Sequence, residues 1–337
     1  MQLSVVIPCY NEADNVGPLL AELLPVLERI TPSFEVLFVD DGSRDETAAR
    51  IRAHCTLEPR VKLLRLSRNF GKEAALSAGI DHAQGEAVVL MDADRQHPPA
   101  VLPELVAAWQ AGADMVIASR QNRNTDSVLR RWLTRAFYRL FNVLSEVELS
   151  PQAGDFRLLD RRAVVALQAM PERGRFMKGL YALVGLSSAE VPYVNEFRAS
   201  GESRFGWRRL FRFALEGLTA FTSAPLRAWA YVGFALAVPA GLYAVYLVFR
   251  TLIQGVDVPG YASLATMILF FSGVQLIGLG VLGEYLGRVY AEAKQRPLYV
   301  VSEVVGAVPQ AATPFTHGGV VLPARRPRGA DERVPGP

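Results

Sequence analysis

Between residues 3 and 120, short runs rich in apolar residues take turns with longer mixed stretches. Leu3–Ile7, Phe34–Val39, Val61–Leu66, Ala87–Met91 and Met115–Ala118 read as buried strands. Helical patterns fill 13–30, 45–54, 72–83 and 99–110. Alternation of this kind predicts an α/β, Rossmann-like domain with a mostly parallel sheet wrapped by helices. The pattern changes after residue 120. Leu129, Trp132, Leu133, Ala136, Phe137, Leu140 and Leu144 share one helical face, and Arg130, Arg131, Arg135 and Arg139 decorate the rest. A basic amphipathic helix of this kind suits an anionic bilayer surface, with a core-packing helix as the alternative. Trp207–Phe213 reads as a second juxtamembrane helix. Ala228–Phe249 and Val258–Gly283 are uncharged stretches of 22 and 26 residues. The shorter reaches about 33 Å as a helix, enough for a bilayer core of about 30 Å. Both are therefore predicted to span, with Pro239 kinking the first.

The strand ends carry the chemistry. The first ends in Pro8-Cys9-Tyr10-Asn11-Glu12 and the second in Asp40-Asp41-Gly42-Ser43. The third leads to Asn69-Phe70-Gly71-Lys72, and the fourth stops in Asp92-Ala93-Asp94-Arg95-Gln96-His97-Pro98-Pro99. In open α/β sheets, ligands bind at the carboxyl ends of the strands. Two acids one residue apart repel unless a cation lies between them, and oxygen ligands without Cys suit Mg²⁺ or Mn²⁺. A solvated Asp-x-Asp turn is the plain alternative. Asp40 or Asp41 can accept hydrogen bonds from a base or ribose, and Tyr10 can stack on or pack against one. Ser43-x-x-Glu46 also reads as a capping box. His97 beside two prolines reads as a turn support. No G-x-G-x-x-G or Walker A sequence occurs, so neither standard nucleotide fingerprint applies.

Composition narrows the setting. The 337 residues are half hydrophobic with a net charge of +3, too mild to indicate a nucleic-acid binder. Two cysteines, Cys9 and Cys55, exclude a disulfide framework and point to a reducing compartment. Leu3–Pro8 reads as a strand rather than a leader. Arg208, Arg209, Arg212 and Arg227 precede the apolar pair, and Arg288, Lys294 and Arg296 follow it. The positive-inside bias puts these flanks in the cytoplasm, and with them the α/β domain. Gly283-x-x-x-Gly287 is a weak signal for close helix packing. The expected organisation is an α/β domain over 1–205, a juxtamembrane helix over 206–227 and two spans over 228–290. A strand or interfacial arm over 291–306 follows, then a Pro-, Ala- and Arg-rich disordered tail over 307–337.

Val-Val-Ile-Pro-Cys-Tyr-Asn-Glu, Val-Asp-Asp-Gly-Ser, Asn-x-Gly-Lys and Met-Asp-Ala-Asp-x-Gln-His-Pro-Pro resemble the family 2 glycosyltransferases of the GT-A fold. The nearest branch acts on polyprenyl phosphates: bactoprenol glucosyl transferases and dolichol-phosphate mannose synthases. The resemblance runs to about residue 305. It implies that Pro8, Tyr10, Glu12, Val39 and Asp41 hold the nucleotide, with Ala93 beside them. It also implies that Asp92, Asp94 and Gln96 surround a Mg²⁺ or Mn²⁺ ion and the diphosphate. Arg95 stands where many relatives have Leu and reads as a tolerated surface change. Gly154-Asp155-Phe156-Arg157 resembles the motif on the acceptor side, making Asp155 a base or a sugar-positioning carboxylate. Arg120 and Arg204, the latter in Gly201-Glu-Ser-Arg-Phe205, would grip phosphate bidentately. Arg173 and Arg175 read as solvated loop charge.

The expected activity is inverting transfer of a hexose from a nucleotide sugar to undecaprenyl or another polyprenyl phosphate at the cytoplasmic face of the inner membrane. UDP-glucose is the first choice of donor. GDP-mannose, UDP-galactose, UDP-N-acetylhexosamine and a modified arabinose donor stay open. The resemblance also implies a homo-oligomer. A processive polysaccharide synthase is the enzymatic rival, but no Gln-x-x-Arg-Trp motif occurs and two spans are too few for a polymer channel. A membrane nucleotide-sugar sensor or a lipid-flipping partner subunit is the non-enzymatic rival, and the intact Asp92/Asp94 pair argues against it.

Overall fold

The computed structural model describes residues 2–120, 153–170, 172–193, 222, 224–254 and 260–307. The expected helices over 129–144 and 207–213, Arg204, and the tail from 308 lie outside the described residues. The chain divides into two units. Among the described residues, one holds the α/β elements together with 297–307, and the other holds the two long apolar helices.

The first unit is built on an eight-stranded sheet. Its strands are β1 (Leu3–Cys9), β2 (Phe34–Asp40), β3 (Val61–Leu66), β4 (Ala87–Leu90), β5 (Met115–Arg120), β6 (Ala153–Asp160), β7 (Ser188–Tyr193) and β8 (Val301–Val305). They lie in the order β7-β5-β6-β4-β1-β2-β3-β8. β1 pairs parallel with β2 and β4, β2 with β3, and β5 with β7. β6 runs antiparallel between β4 and β5, and β8 runs antiparallel on β3. β1 and β2 are buried along their whole length, which is why their sequences run almost unbroken in apolar residues.

Helices α1 (Ala13–Ile30), α2 (Thr47–Leu57), α3 (Lys72–His82), α4 (Leu102–Gln110), α5 (Arg161–Gln168) and α6 (Met177–Leu183) complete this unit. α1 presents Val16, Leu19, Leu20, Leu23, Val26 and Leu27 to the core, the i, i+3, i+4 spacing of an amphipathic helix. The capping box expected at Ser43 is not formed. The Ser43 hydroxyl accepts the Asn11 N–H instead, and Asp45 caps the start of α2 by accepting from the Thr47 N–H and hydroxyl. β6 has no counterpart among the strands expected from the hydrophobic pattern. It forms because Phe156, Leu158 and Leu159 fill the gap between β4 and β5.

The second unit contains α7 (Ala224–Gln254), with Pro239 inside it, and α8 (Tyr261–Ala293). Phe270–Ala293 is the one helical stretch among the described residues long and apolar enough to cross a membrane. This is further along the chain than the 258–283 expected. The described apolar run in α7, Ala228–Tyr243, is shorter. Many of its large side chains face outward, Tyr231 and Phe234 among them. A Cβ at Gly278 would collide with Trp229, whereas Gly283 and Gly287 face open space. Close packing of the two helices is therefore made at Gly278, not at the Gly-x-x-x-Gly pair.

Candidate active site

The carboxyl edge of the sheet is stitched together by its own polar residues. The Asn11 N–H donates to Ser43 Oγ, and the Arg44 N–H donates to Asn11 Oδ1, joining the ends of β1 and β2. The Glu12 N–H donates to Thr47 Oγ1 at 2.8 Å. Gly42 has φ +67° and lies so close to the Arg68 backbone that any Cβ would meet it at 2.5 Å, so only glycine fits this turn. Asp40 is fully buried, accepts from the Ser43 N–H and lies 3.1 Å from Arg65 Nε.

Asp41 accepts from the Phe70 N–H at 2.7 Å and the Gly71 N–H at 2.9 Å. This clamp shapes the loop before α3 and aims the first side chain of the helix, Lys72, across the edge. Lys72 Nζ lies 2.7 Å from Asp92 Oδ1, 2.8 Å from Asp92 Oδ2 and 2.7 Å from Asp155 Oδ2. One ammonium thus ties the end of β4 to the start of β6.

Behind these groups lies an aromatic wall. His97 Nδ1 accepts the Asp92 N–H at 2.9 Å, which fixes the backbone at the first acid. Its ring stacks on Phe156 at 4.8 Å, and Phe156 meets Tyr193 edge-on. Burial pushes the His97 pKa down, so the ring is neutral and accepts at Nδ1. The expectation that His97 supports the turn agrees with this geometry. Arg95 sits at φ +60° and pairs with Glu22, away from Asp92 and Asp94.

The field at this edge is negative. Burial raises the Glu12 pKa, and repulsion from Asp94 and Asp92 raises it further. Burial also opposes ionisation of Asp155, but Lys72 and Lys178 overcome it and hold this carboxyl below its usual range. Glu73, next to Lys72, is pushed up to about 7 by burial and by Asp155. No group of three His, Cys, Asp or Glu side chains among the described residues is arranged to hold a metal. The donor set at the end of β4 is two carboxylates with oxygen ligands only. That set fits a hard divalent ion, which would complete its shell with water and the phosphates of a bound nucleotide.

Residues 4–167 match the model for glycosyl transferase family 2. An uncharacterized glycosyltransferase of Synechocystis is 46% identical over 306 residues, covering 91% of this chain and 96% of that protein. The bactoprenol glucosyl transferase of Shigella phage SfV is 44% identical over 302 residues, covering 89% and 98%. The chain belongs to glycosyl transferase family 2. It is an enzyme of that family, a glycosyltransferase, and falls in the branch that includes the bactoprenol glucosyl transferases. A crystal structure of glucosyl-3-phosphoglycerate synthase from Mycobacterium tuberculosis, with Mn²⁺, UDP and phosphoglyceric acid, is a distant likeness. It is 18% identical over 65% of this chain and 76% of that one, with a TM-score of 0.45. It bears no weight on the site.

The structure brings most of the expected site residues of this glycosyltransferase to one edge. Tyr10 is exposed there, and Glu12, Asp92 and Asp94 are half-buried. Gln96 is exposed, its N–H donating to Asp94 Oδ1 at 3.1 Å. Pro8, Val39 and Ala93 are buried, so they form the floor rather than present side chains to a ligand. Arg120 ends β5 on the same edge, and Tyr193 feels both its charge and those of Asp92 and Asp94. Arg175 is not solvated loop charge: it is half-buried, near Asp81 and Glu172. Sequence reading missed Lys72 as a site residue. The signal was present, since a Lys opening a helix at a strand's carboxyl end faces the same edge as the acids.

Proposed function

We propose that this glycosyltransferase moves a hexose from a nucleotide sugar to a polyprenyl phosphate, inverting the anomeric centre, with UDP-glucose as donor and undecaprenyl phosphate as acceptor. One observation carries this reading: near-full-length similarity to a protein named bactoprenol glucosyl transferase. The gathering of Asp92, Asp94 and Asp155 at one sheet edge supports it. Tyr10 would stack on the base, while Pro8, Glu12, Val39, Asp41 and Ala93 line the nucleotide's seat.

Asp92 and Asp94, with Gln96 beside them, would hold Mg²⁺ or Mn²⁺. A divalent ion there would supply charge neutralisation for the departing diphosphate. A lipid monophosphate has a second pKa of about 6 and is largely ionised at neutral pH, so attack on the sugar needs no strong base. Asp155, kept charged by Lys72, would then orient sugar hydroxyls as a hydrogen-bond acceptor. Arg120 and Arg204 would draw in the acceptor phosphate. α7 and α8 would both span the inner membrane, with the α/β unit on its cytoplasmic side, placing the enzyme where its lipid acceptor resides. The amphipathic stretch at 129–144 would lie on the surface of that membrane, and the enzyme would work as a homo-oligomer.

The test incubates membranes containing the protein with labelled nucleotide sugars and undecaprenyl phosphate. Label from UDP-glucose should enter the organic phase in a divalent-dependent way. Failure with every donor, in both Mg²⁺ and Mn²⁺, would overturn the reading.

A further inference from the structure

We propose that Lys72 is a positioning residue that holds Asp92 in reserve, so that a divalent ion binds well only together with a nucleotide diphosphate. This rests on the metal reading of Asp92 and Asp94 given above. The geometry carries it. Lys72 Nζ is within 2.8 Å of both Asp92 oxygens, where a metal ion would sit. It is bonded at the same time to Asp155 at 2.7 Å. Among the described residues, no other Lys or Arg lies within ion-pair distance of Asp92 or Asp94.

Lys72 is also mounted so that it can let go. Its backbone is fixed, because Gly71 at φ +98° makes the turn into α3 and Asp41 clamps the N–H groups of Phe70 and Gly71. Its side chain is 42% exposed, however, and four rotatable bonds let the ammonium move toward arriving phosphate oxygens. A divalent ion approaching alone meets a positive charge already seated on Asp92. When it arrives with a diphosphate, the added negative charge accommodates both cations. Lys72 can then keep Asp155 and turn its remaining donors to phosphate. The Asp41 clamp links the β2 turn, on the nucleotide side, to the side chain that guards the metal side.

The experiment titrates Mn²⁺ into the purified full chain in detergent, followed by electron paramagnetic resonance. Wild type should bind Mn²⁺ weakly without nucleotide and more tightly with UDP. Lys72→Met should bind Mn²⁺ without nucleotide about tenfold more tightly than wild type, the order of effect of removing one like charge a few ångströms away at a half-exposed site. UDP should then add less than it adds to wild type. Lys72→Gln, which keeps a hydrogen-bond donor but no charge, should behave like Lys72→Met, and Lys72→Arg like wild type. Thermal melts establish that each variant is folded. A purely structural ion pair predicts Mn²⁺ affinity that is unchanged or weaker on removal of Lys72, and that result in folded variants overturns the proposal. Absence of Mn²⁺ binding in wild type and variants alike, even with UDP, instead overturns the metal reading on which it rests.

Discussion

The two edges of the sheet handle buried charge in opposite ways. At the amino edge, Glu35 takes Lys62 Nζ at 2.6 Å, the Ser4 hydroxyl at 2.5 Å and the Gln84 N–H at 2.7 Å. Asp114 takes Arg162 and the Ser187 N–H and hydroxyl, and Asp160 takes the Trp109 indole and caps α5. Each carboxylate there has its lone pairs filled by fixed groups from its own chain. At the carboxyl edge, Glu12, Asp92 and Asp94 repel one another; Glu12 accepts from the Asn15 side chain and Asp94 from the Gln96 N–H, and among the described residues Lys72 is the one Lys or Arg within ion-pair distance of any of the three. Where charge is left incomplete, a ligand is expected.

That contrast breaks most sharply at Lys62. Lys62→Met leaves Glu35 buried without its counter-ion and should cost about 3–5 kcal/mol of stability, read by denaturant melts, while turnover per folded molecule is unchanged. At the other edge the sign reverses. Asp155→Asn should lower kcat by about 10²–10³ with little change in melting temperature, as for other lost electrostatic contacts in an active site. If the two variants exchanged these phenotypes, the assignment of the edges would be wrong.

Glu73 offers a pH test between the extremes. Its folded pKa of about 7 lies above the unfolded value of 4.5, so the native state binds the proton more tightly. Its contribution to stability is fully present below about 4.5 and is lost as pH rises through about 7. Glu73→Gln should remove that slope, seen as a wild-type-minus-variant difference in melting temperature that falls between pH 5 and 7. The smallest effect is expected at Glu303, which pairs with Arg52 and Arg65 in a partly exposed setting. Glu303→Ala should cost about 0.5–1 kcal/mol.

Much of this was legible in the residues themselves. β1 to β5 and α1 to α4 fall within a few positions of the hydrophobic pattern, because buried parallel strands have little freedom in composition. β6 escaped detection because Gly154, Asp155 and Arg157 interrupt its apolar run. β7, with Glu190 and Pro192 on a sheet edge, carries too few apolar residues to signal a strand. Glu12, Asp41, Asp92 and Asp94 were readable from their place after strands, whereas Asp155 was read only from its resemblance to a family motif. Lys72 was readable as one more polar residue on the same edge, but its pairing with Asp92 and Asp155, 20 and 83 residues away, leaves no local pattern. The buried Arg157 over the Tyr181 ring was equally hidden, as its cation–π contact is made only once β6 and α6 are assembled.

β8 has a practical consequence. It pairs with β3, and the two residues before it are tied to the same unit: the Val300 carbonyl accepts the Ser67 N–H, and the Tyr299 hydroxyl donates to Asp81 at 2.8 Å. The hydrophobic helices are therefore an excursion within the chain, and β8, an edge strand of the α/β unit, is encoded after them. Trimming the protein ahead of Ala224 to obtain a water-soluble enzyme would discard that strand and bare the β3 edge to self-association. Splicing Pro297–Gly306 back through a short linker is the better route to such a reagent.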